Sequence, residues 1–256
     1  MEHYQQIKDF VKGTVAENAP IIPISAQQNL NVDLVIQAIE ETIPTPPRDT
    51  EKPPLLKIAR SFDINRQGAA PDSLKGGVIG GSLSQGLLHV GDKIEICPGR
   101  LVDYEGRKQW IPIQTKVMTL LAGKQVLEEI GPGGLMGLGT QLDPIMTKSD
   151  ALVGQVAGEP GKLPPARSTF TMNMQLLERV VGVTDESSVE PIHSSEPLML
   201  NVGTATTVGV VSSAREGGVV QVQLKRPVCA EKGDRVAVSR RIGARWRLIG
   251  VGTITE

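Results

Sequence analysis

The 256-residue sequence has few of the residues from which metal sites and catalytic centres are commonly built. Aromatic residues make up 3% of the chain, and its only cysteines are Cys97 and Cys229. Two cysteines far apart in the sequence, with no C-x-x-C pair, predict neither a zinc site nor a disulfide framework, and we expect reduced thiols. His3, His89 and His193 have no cysteine or carboxylate cluster near them, so neither a metal site nor a catalytic triad is predicted.

The sequence also lacks a charge excess and a long apolar run. Its formal net charge is −1 at pH 7, so RNA binding would have to come from a local basic patch. A membrane helix needs about 18 consecutive apolar residues, and no such run is present. The N-terminal residues MEHYQQ lack the basic and apolar regions of a signal peptide. We therefore expect a soluble, cytoplasmic protein with no membrane partner.

Glycine and proline are abundant, with 28 and 18 residues. Frequent turn residues are typical of many short strands rather than of long helices. Over residues 55–164, short apolar runs separated by turns at Glu105-Gly106 and Gly131–Gly134 predict a first β-barrel. Over residues 165–256, a second set of strands predicts a second barrel. In Val219–Leu224 the alternating valine and glutamine residues predict one buried and one exposed face.

The first 46 residues have a different pattern. Apolar residues at helical spacing predict a helix that ends before Gly13, and a second helix that starts after Asn31. Pro20–Ile24 predicts a short buried strand between them. Helix, strand and helix are typical of an α/β domain, although 46 residues are too few to complete one. The prolines around residues 47–54 predict a semi-rigid linker.

Two glycine-containing stretches imitate nucleotide-binding motifs. Gly76–Gly81 has the glycine spacing of a phosphate-binding loop, but Ser82 and Leu83 follow it, so the required lysine is missing. We interpret these glycines as part of a barrel strand. Asp103–Gly106 fits the loose D-x-x-G pattern of a GTPase switch but is predicted to be a hairpin turn. The sequence contains no N-K-x-D run and no catalytic constellation.

Five arginines surround Trp246 near the end of the chain, namely Arg235, Arg240, Arg241, Arg245 and Arg247. One interpretation is a solvated strand face whose long side chains cover apolar surface. The other is a surface that contacts RNA phosphates or an acidic protein partner. A polar loop is predicted between Thr184 and Glu196.

Several runs resemble a known family. They are RSFDINR (60–66), LKGGVIGGS (74–82), GLLHVGDKIEI (86–96), PGGLMGLGT (132–140), LVGQV (152–156), LMLNVG (198–203) and WRLIG (246–250). In this order they resemble the gamma subunit of eukaryotic and archaeal translation initiation factor 2, a translational GTPase similar to elongation factor Tu. The resemblance implies a mainly β fold, in which the C-terminal helix-strand-helix remnant of a GTPase domain (1–46) precedes two consecutive barrels, domain II (55–164) and domain III (165–256).

The resemblance also implies a function. Family members bind GTP or GDP with Mg²⁺, and deliver initiator methionyl-tRNA to the small ribosomal subunit as part of an alpha-beta-gamma heterotrimer. Ser25, Ala26 and Gln27 match the last guanine-recognition motif of the family. By analogy with elongation factor Tu, residues 116–139 lie near the acceptor end of the tRNA, which makes Lys116, Lys124, Gly133 and Gly134 candidate contacts. Domain III is implied to contact a cytosolic assembly factor, the tRNA or the ribosome.

The phosphate loop, both switches and the N-K-x-D motif of the family would precede residue 1. Because these elements supply most of the phosphate and Mg²⁺ binding, we expect this chain by itself to bind GTP weakly or not at all and to lack GTPase activity. Three hypotheses follow. The chain is a piece of a translational GTPase subunit, a naturally short module that binds tRNA or partner subunits without GTPase activity, or a non-functional gene fragment.

Overall fold

The computed structural model describes residues 2–178, 188–215 and 217–256. It divides into two compact units, whose boundary lies between Pro47 and Arg48. Among the residues that the structure describes, the first unit contains two helices, and the second contains strands and three short 3-10 turns. The predicted polar loop from Thr184 to Glu196 lies partly outside the described residues.

The first unit has helix α1 (Glu2–Val11) and helix α2 (Val32–Thr42), and no residue of either helix is buried. As predicted, α1 ends before Gly13, whose φ is 74°. Asn31 precedes α2 as predicted, but its side chain donates to the Pro23 carbonyl at 2.9 Å instead of capping the helix.

The strand predicted over Pro20–Ile24 does not form. Only an isolated bridge joins Ser25 to Leu30, just beyond this segment. A strand is defined by its hydrogen bonds to a neighbouring strand. The described residues of the first unit form no strand with which Pro20–Ile24 could pair. The predicted burial is also wrong, because none of residues 20–24 is buried and Ile24 is 52% exposed.

The described residues of the second unit form fifteen strands. They are β1 (Leu55–Phe62), β2 (Val78–Gln85), β3 (Leu88–His89), β4 (Lys93–Tyr104), β5 (Arg107–Ala122), β6 (Gln125–Leu127), β7 (Glu129–Ile130), β8 (Met136–Thr140), β9 (Val156–Gly158), β10 (Ala166–Leu176), β11 (Pro197–Val202), β12 (Ala205–Arg215), β13 (Val219–Cys229), β14 (Arg235–Ile242) and β15 (Arg245–Ile254).

The first barrel closes in the order β4-β9-β1-β2-β8-β5, and β5 returns to pair with β4. Strand β6 extends β5 as a hairpin, and β3 pairs separately with β7. The glycine run that imitates a phosphate loop leads into β2, as interpreted from the sequence. A Cβ atom on Gly81 would lie 2.0 Å from the Lys57 carbonyl oxygen of β1, so this crossing requires glycine.

The second barrel closes in the order β10-β13-β12-β11-β14-β15, and all of its pairs are antiparallel. The alternation predicted for β13 is confirmed, because Val220, Val222 and Leu224 are buried whereas Gln221 and Gln223 are exposed. The second barrel therefore has the inward and outward faces that a period of two residues dictates.

Each barrel has its own apolar core. The first contains Leu56, Ile58, Ile79 and Leu138, and the second contains Met172, Leu198, Leu200 and Val238, all fully buried. The residues expected to form a linker contact the first barrel instead of standing free. The Asp49 carbonyl accepts from Gly86 N at 2.8 Å, and Gln85 donates to the Pro53 carbonyl at 2.9 Å.

Candidate functional sites

The turn at Ser25, Ala26 and Gln27 is closed by backbone hydrogen bonds. Ser25 N donates to the Leu30 carbonyl at 3.2 Å, and Leu30 N donates to the Ser25 carbonyl at 3.0 Å. The Gln28 amide also donates to Ser25, at 3.2 Å. Among the described residues, the amides of Ala26 and Gln27 have no protein acceptor, and both residues are exposed. The turn therefore presents two consecutive N–H groups to an external acceptor.

A cation lies over the glycine turn of the first barrel. Gly133 and Gly134 have φ values of 110° and 67°, and Gly133 N donates to the Leu83 carbonyl at 3.1 Å. The guanidinium carbon of Arg48 lies 2.6 Å from the position that a Cβ atom on Gly133 would occupy. Sequence reasoning assigned Arg48 to the linker, because nothing local in the sequence indicates that it reaches this turn.

The two candidate lysines of the first barrel are separated. Lys116 lies in β5 directly opposite Lys93 of β4, and both are exposed. Lys124 lies in the turn after β5, beyond the end at which Ala122 pairs with Met136. Six residues of strand place Lys116 about 20 Å from Ala122. Lys124 therefore lies near the end of β5 that pairs with Met136, the first residue of β8 after the glycine turn, whereas Lys116 lies next to the other end of that pairing.

The pleat of the β14–β15 hairpin divides the arginine cluster. Register pairs Arg240 with Arg247 and Arg241 with Trp246, so these two pairs point to opposite faces of the hairpin. Arg245 lies opposite Ile242, on the same face as Arg240. Arg235 lies five residues before Arg240, about 16 Å away along the strand. The five arginines do not form one continuous patch.

Arg240 differs from the other four arginines because intramolecular acceptors occupy its guanidinium. It forms an ion pair with Glu196, and its Nη1 and Nη2 donate to the carbonyls of Glu190 and Pro191, both at 2.9 Å. The side chains of Arg240 and Glu196 are only 14% and 15% exposed. Glu196 also accepts from His193 N at 3.1 Å. Arg240 therefore anchors residues 190–196 to β14, whereas the other arginines pair with no described acidic residue.

A charged contact also organises the RSFDINR motif of β1. Asp150 accepts from Ser61 N at 2.9 Å and from Arg60 Nε at 3.0 Å. The Ser61 amide, followed by Arg60, lowers the pKa of Asp150 below its ordinary value. Asp150 has a φ of 59°, a conformation that aspartate tolerates better than most residues. The Arg60 side chain therefore forms an ion pair with an acidic residue of the same barrel.

The barrels contact each other through residues that include Gly154 of the LVGQV run. The Arg226 guanidinium of β13 lies 6.0 Å from the Trp110 ring of β5, within the range of a cation–π interaction. Gly154 of the first barrel packs against Ala205 of the second, where a Cβ atom would lie 2.9 Å from the Ala205 Cα. Sequence reasoning did not identify this junction, because it depends on how two independently patterned barrels meet.

The described residues offer neither a metal site nor a membrane-spanning helix. Within residues 2–178, 188–215 and 217–256, no group of three or more histidine, cysteine or acidic side chains is arranged to hold a metal ion. None of the helices in these ranges is long and apolar enough to cross a membrane.

Solved structures share this fold. Two structures of translation elongation factor SelB from Methanococcus maripaludis, one in the apo form and one in complex with the GTP analogue GPPNHP, match with TM-scores of 0.71 and 0.72. The matches cover 100% of this chain and 54% and 55% of the SelB chains, at 20% and 21% identity. This likeness gives the fold class of the chain, which is that of the matched parts of the two SelB chains.

Sequence relatives narrow this class. Residues 168–254 match the family described as initiation factor eIF2 gamma, C terminal. Translation initiation factor 2 subunit gamma from Methanothermobacter thermautotrophicus and from Archaeoglobus fulgidus are each 60% identical over 254 residues, or 99% of this chain. The chain belongs to the family of initiation factor 2 gamma subunits. It spans 62% and 59% of the length of these two relatives.

Proposed function

We propose that this chain supplies the barrels with which an initiation factor 2 gamma subunit holds initiator methionyl-tRNA and its alpha and beta subunits. In the complete factor, these barrels would act with a GTP-binding domain to deliver the tRNA to the small ribosomal subunit. The observation that carries the proposal is the 60% identity to gamma subunits across 99% of the chain, which includes both barrels. The proposed setting is the cytoplasm, where translation initiates.

The glycine turn at 131–134 is the proposed contact for the acceptor end of the tRNA. Glycine allows close approach of a backbone, and Arg48 places a cation beside that backbone. Arginine suits this role because its planar guanidinium can bind phosphate oxygens in a bidentate manner. Lys124, in the turn after β5, would add a second cation. Lys93 and Lys116, which lie opposite each other in β4 and β5, would add positive charge farther away.

The exposed arginines of the second barrel are separate proposed contacts, on two faces of the β14–β15 hairpin, for RNA or an acidic protein partner such as an assembly factor. Arg241 lies beside Trp246 on one face of the hairpin, whereas Arg245 and Arg247 lie on the other. Arg235 lies too far along β14 to act with them at one small contact. Arg240 is excluded from these contacts because Glu196 and two carbonyls occupy it.

Nucleotide binding is proposed only for the complete factor. The exposed amides of Ala26 and Gln27 suit an acceptor such as the guanine oxygen, which supports the family-based assignment. The printed sequence contains no phosphate-loop lysine and no N-K-x-D run. We therefore expect calorimetric titration of this chain with GTP and Mg²⁺ to show no saturable tight binding and no hydrolysis.

The tRNA proposal can be tested by fluorescence anisotropy with labelled initiator methionyl-tRNA across a series of salt concentrations. Arg48→Ala should weaken binding and lower the slope of log Kd against log salt by about 1, since one phosphate contact is lost. Lys52→Ala is the matched control, because Lys52 is a nearby exposed cation that pairs with Asp49 at 3.1 Å. Equal effects of the two variants would refute the assignment of Arg48, and absence of salt-dependent tRNA binding by the wild-type chain would refute tRNA binding by these barrels.

A short binding module without GTPase activity is the second candidate. It is favoured by the two closed barrels, each with its own core, which require no nucleotide for their packing. Co-purification with the alpha or beta subunit, together with no GTP affinity, would support it. Failure to bind either subunit or tRNA would instead favour the non-functional fragment.

A further inference from the structure

The only two cysteines of the chain meet where the two barrels contact each other. Cys97 lies in β4 of the first barrel, and Cys229 is the last residue of β13 in the second. These two strands are in contact, and the Cys97 and Cys229 side chains are neighbours. Both are free thiols in this structure. Cys97 is buried, and Cys229 is half-buried.

Both cysteines are attached to well-anchored backbone. On the Cys97 side, the buried Gln155 amide holds Gly99, accepting from Gly99 N at 2.8 Å and donating to the Gly99 carbonyl at 3.0 Å. On the Cys229 side, Arg167 Nε donates to the Ala230 carbonyl at 2.9 Å. The hydrogen bonds beside each cysteine restrict the backbone motion that would separate the thiols.

A small reagent can approach the pair from the Cys229 side. A cavity of about 190 Å³ is lined by Cys229 and by Val156, the register partner of Cys97. Water occupies about 30 Å³ in the liquid, so a molecule as small as hydrogen peroxide fits. Lys57, Asp234 and Arg235 also line the cavity.

The two thiols differ in the direction in which their pKa is shifted. Interaction with the neighbouring Cys229 thiol lowers the pKa of Cys97. The same interaction, followed by burial, raises the pKa of Cys229. One sulfur therefore loses its proton more readily while its neighbour remains protonated. A reactive cysteine next to a second cysteine that can resolve it is the arrangement found in redox-sensing sites.

We propose that Cys97 and Cys229 form an oxidation site that links the two barrels by a disulfide when the protein meets an oxidant of the peroxide class. The first thiolate attacks one oxygen of hydrogen peroxide, becomes a sulfenic acid and releases hydroxide, which takes up the proton of the original thiol to give water. The second thiol then attacks the sulfenic sulfur, and the sulfenic hydroxyl leaves with the thiol proton as a second water. The two sulfurs lose two electrons, and the peroxide gains them.

The test uses the full chain, reduced, freed of reductant and then treated with hydrogen peroxide. Thiols titrated after denaturation should fall from two to none, because the chain has only two cysteines. Intact mass should fall by two hydrogen atoms, the protein should remain monomeric, and dithiothreitol should restore both thiols. A gain of oxygen atoms without loss of hydrogen, or a product of twice the chain mass, would overturn the proposal.

Single variants Cys97→Ser and Cys229→Ser provide the second measurement. Each should lose the mass decrease, and in Cys229→Ser the remaining Cys97 should form a sulfenic acid that reacts with dimedone. The oxidised wild-type chain should melt about 5–10 °C above the reduced chain, since a disulfide restricts the unfolded state. Neither single variant should show this increase upon oxidation. If the oxidised wild type shows no increase relative to its reduced form, no linkage between the barrels has formed.

Discussion

In the first barrel, Gly99, two residues after Cys97 at the junction between the barrels, is held by uncharged contacts. In the second barrel, residues 190–196 are held by an ion pair. Gly99 of the first barrel lies so close to β5 that a Cβ atom would be 1.9 Å from the Ile111 carbonyl oxygen, and the Gln155 amide clamps it. In the second barrel, Arg240 and Glu196 are both largely buried. In the first barrel, the residue whose substitution should most reduce stability is therefore a glycine. In the second barrel it is a charged residue, Arg240, whose type alone would suggest a binding role.

The largest expected effect comes from Gly99→Ala. Its Cβ atom would clash with the Ile111 carbonyl, and its φ of 92° is unfavourable for any L side chain. We expect the free energy of unfolding to fall by about 3–5 kcal/mol. Urea denaturation followed by tryptophan fluorescence can locate the loss, because each barrel contains one of the two tryptophans, Trp110 in β5 and Trp246 in β15. Trp246→Phe isolates the signal of the first barrel.

Two glycine variants separate the two causes. Gly81→Ala introduces a backbone clash at 2.0 Å without a positive φ, whereas Gly106→Ala has a φ of 78° and no atom within 4 Å. We expect Gly106→Ala to cost only about 1–2 kcal/mol, for the backbone conformation alone. If Gly99→Ala costs no more than Gly106→Ala, the close approach to Ile111 does not matter for stability.

The second effect, in order of size, is expected for Arg240→Ala. This variant would leave the Glu196 carboxylate and two carbonyls without their donor, at a cost of about 3 kcal/mol. Arg241→Ala is the matched control, since Arg241 is exposed and should change stability by less than about 0.5 kcal/mol. Thermal melting read through Trp246 in a Trp110→Phe background reports the second barrel. Equal melting temperatures for the two arginine variants would contradict an anchoring role for Arg240.

The smallest effect is expected at the exposed charged contact of the first barrel, between Arg60 and Asp150. Because the pKa of Asp150 is lowered from 3.8, the contact stabilises the fold above that pH, and its contribution is lost as the pH falls through the folded-state pKa. Asp150→Asn preserves the size of the side chain, and asparagine tolerates a positive φ. The stability difference between wild type and variant should be constant near neutral pH and shrink below about pH 4. A difference that persists unchanged at low pH would show that charge is not its origin.

Some parts of the candidate sites could be predicted from the sequence, and others could not. The Ser25–Gln27 turn and the glycine turn at 131–134 occur at the predicted positions, because each depends on local backbone conformation. The arginine cluster was visible as composition, but its division into two faces needed the β14–β15 register. Arg48 at Gly133 could not be predicted, since no periodicity connects a linker residue to a turn so far along the chain.

The sequence alone determined that the chain has two barrels, because strand alternation and turn glycines act over a few residues. It also determined the family, through runs that stay in order along nearly the whole chain. Only the tertiary structure decided whether Pro20–Ile24 would pair as a strand and which arginine would form an ion pair with Glu196. It likewise brought together Cys97 and Cys229, which the sequence separates. These outcomes depend on strand register and on the meeting of two barrels, and both arise from contacts between residues distant in the chain.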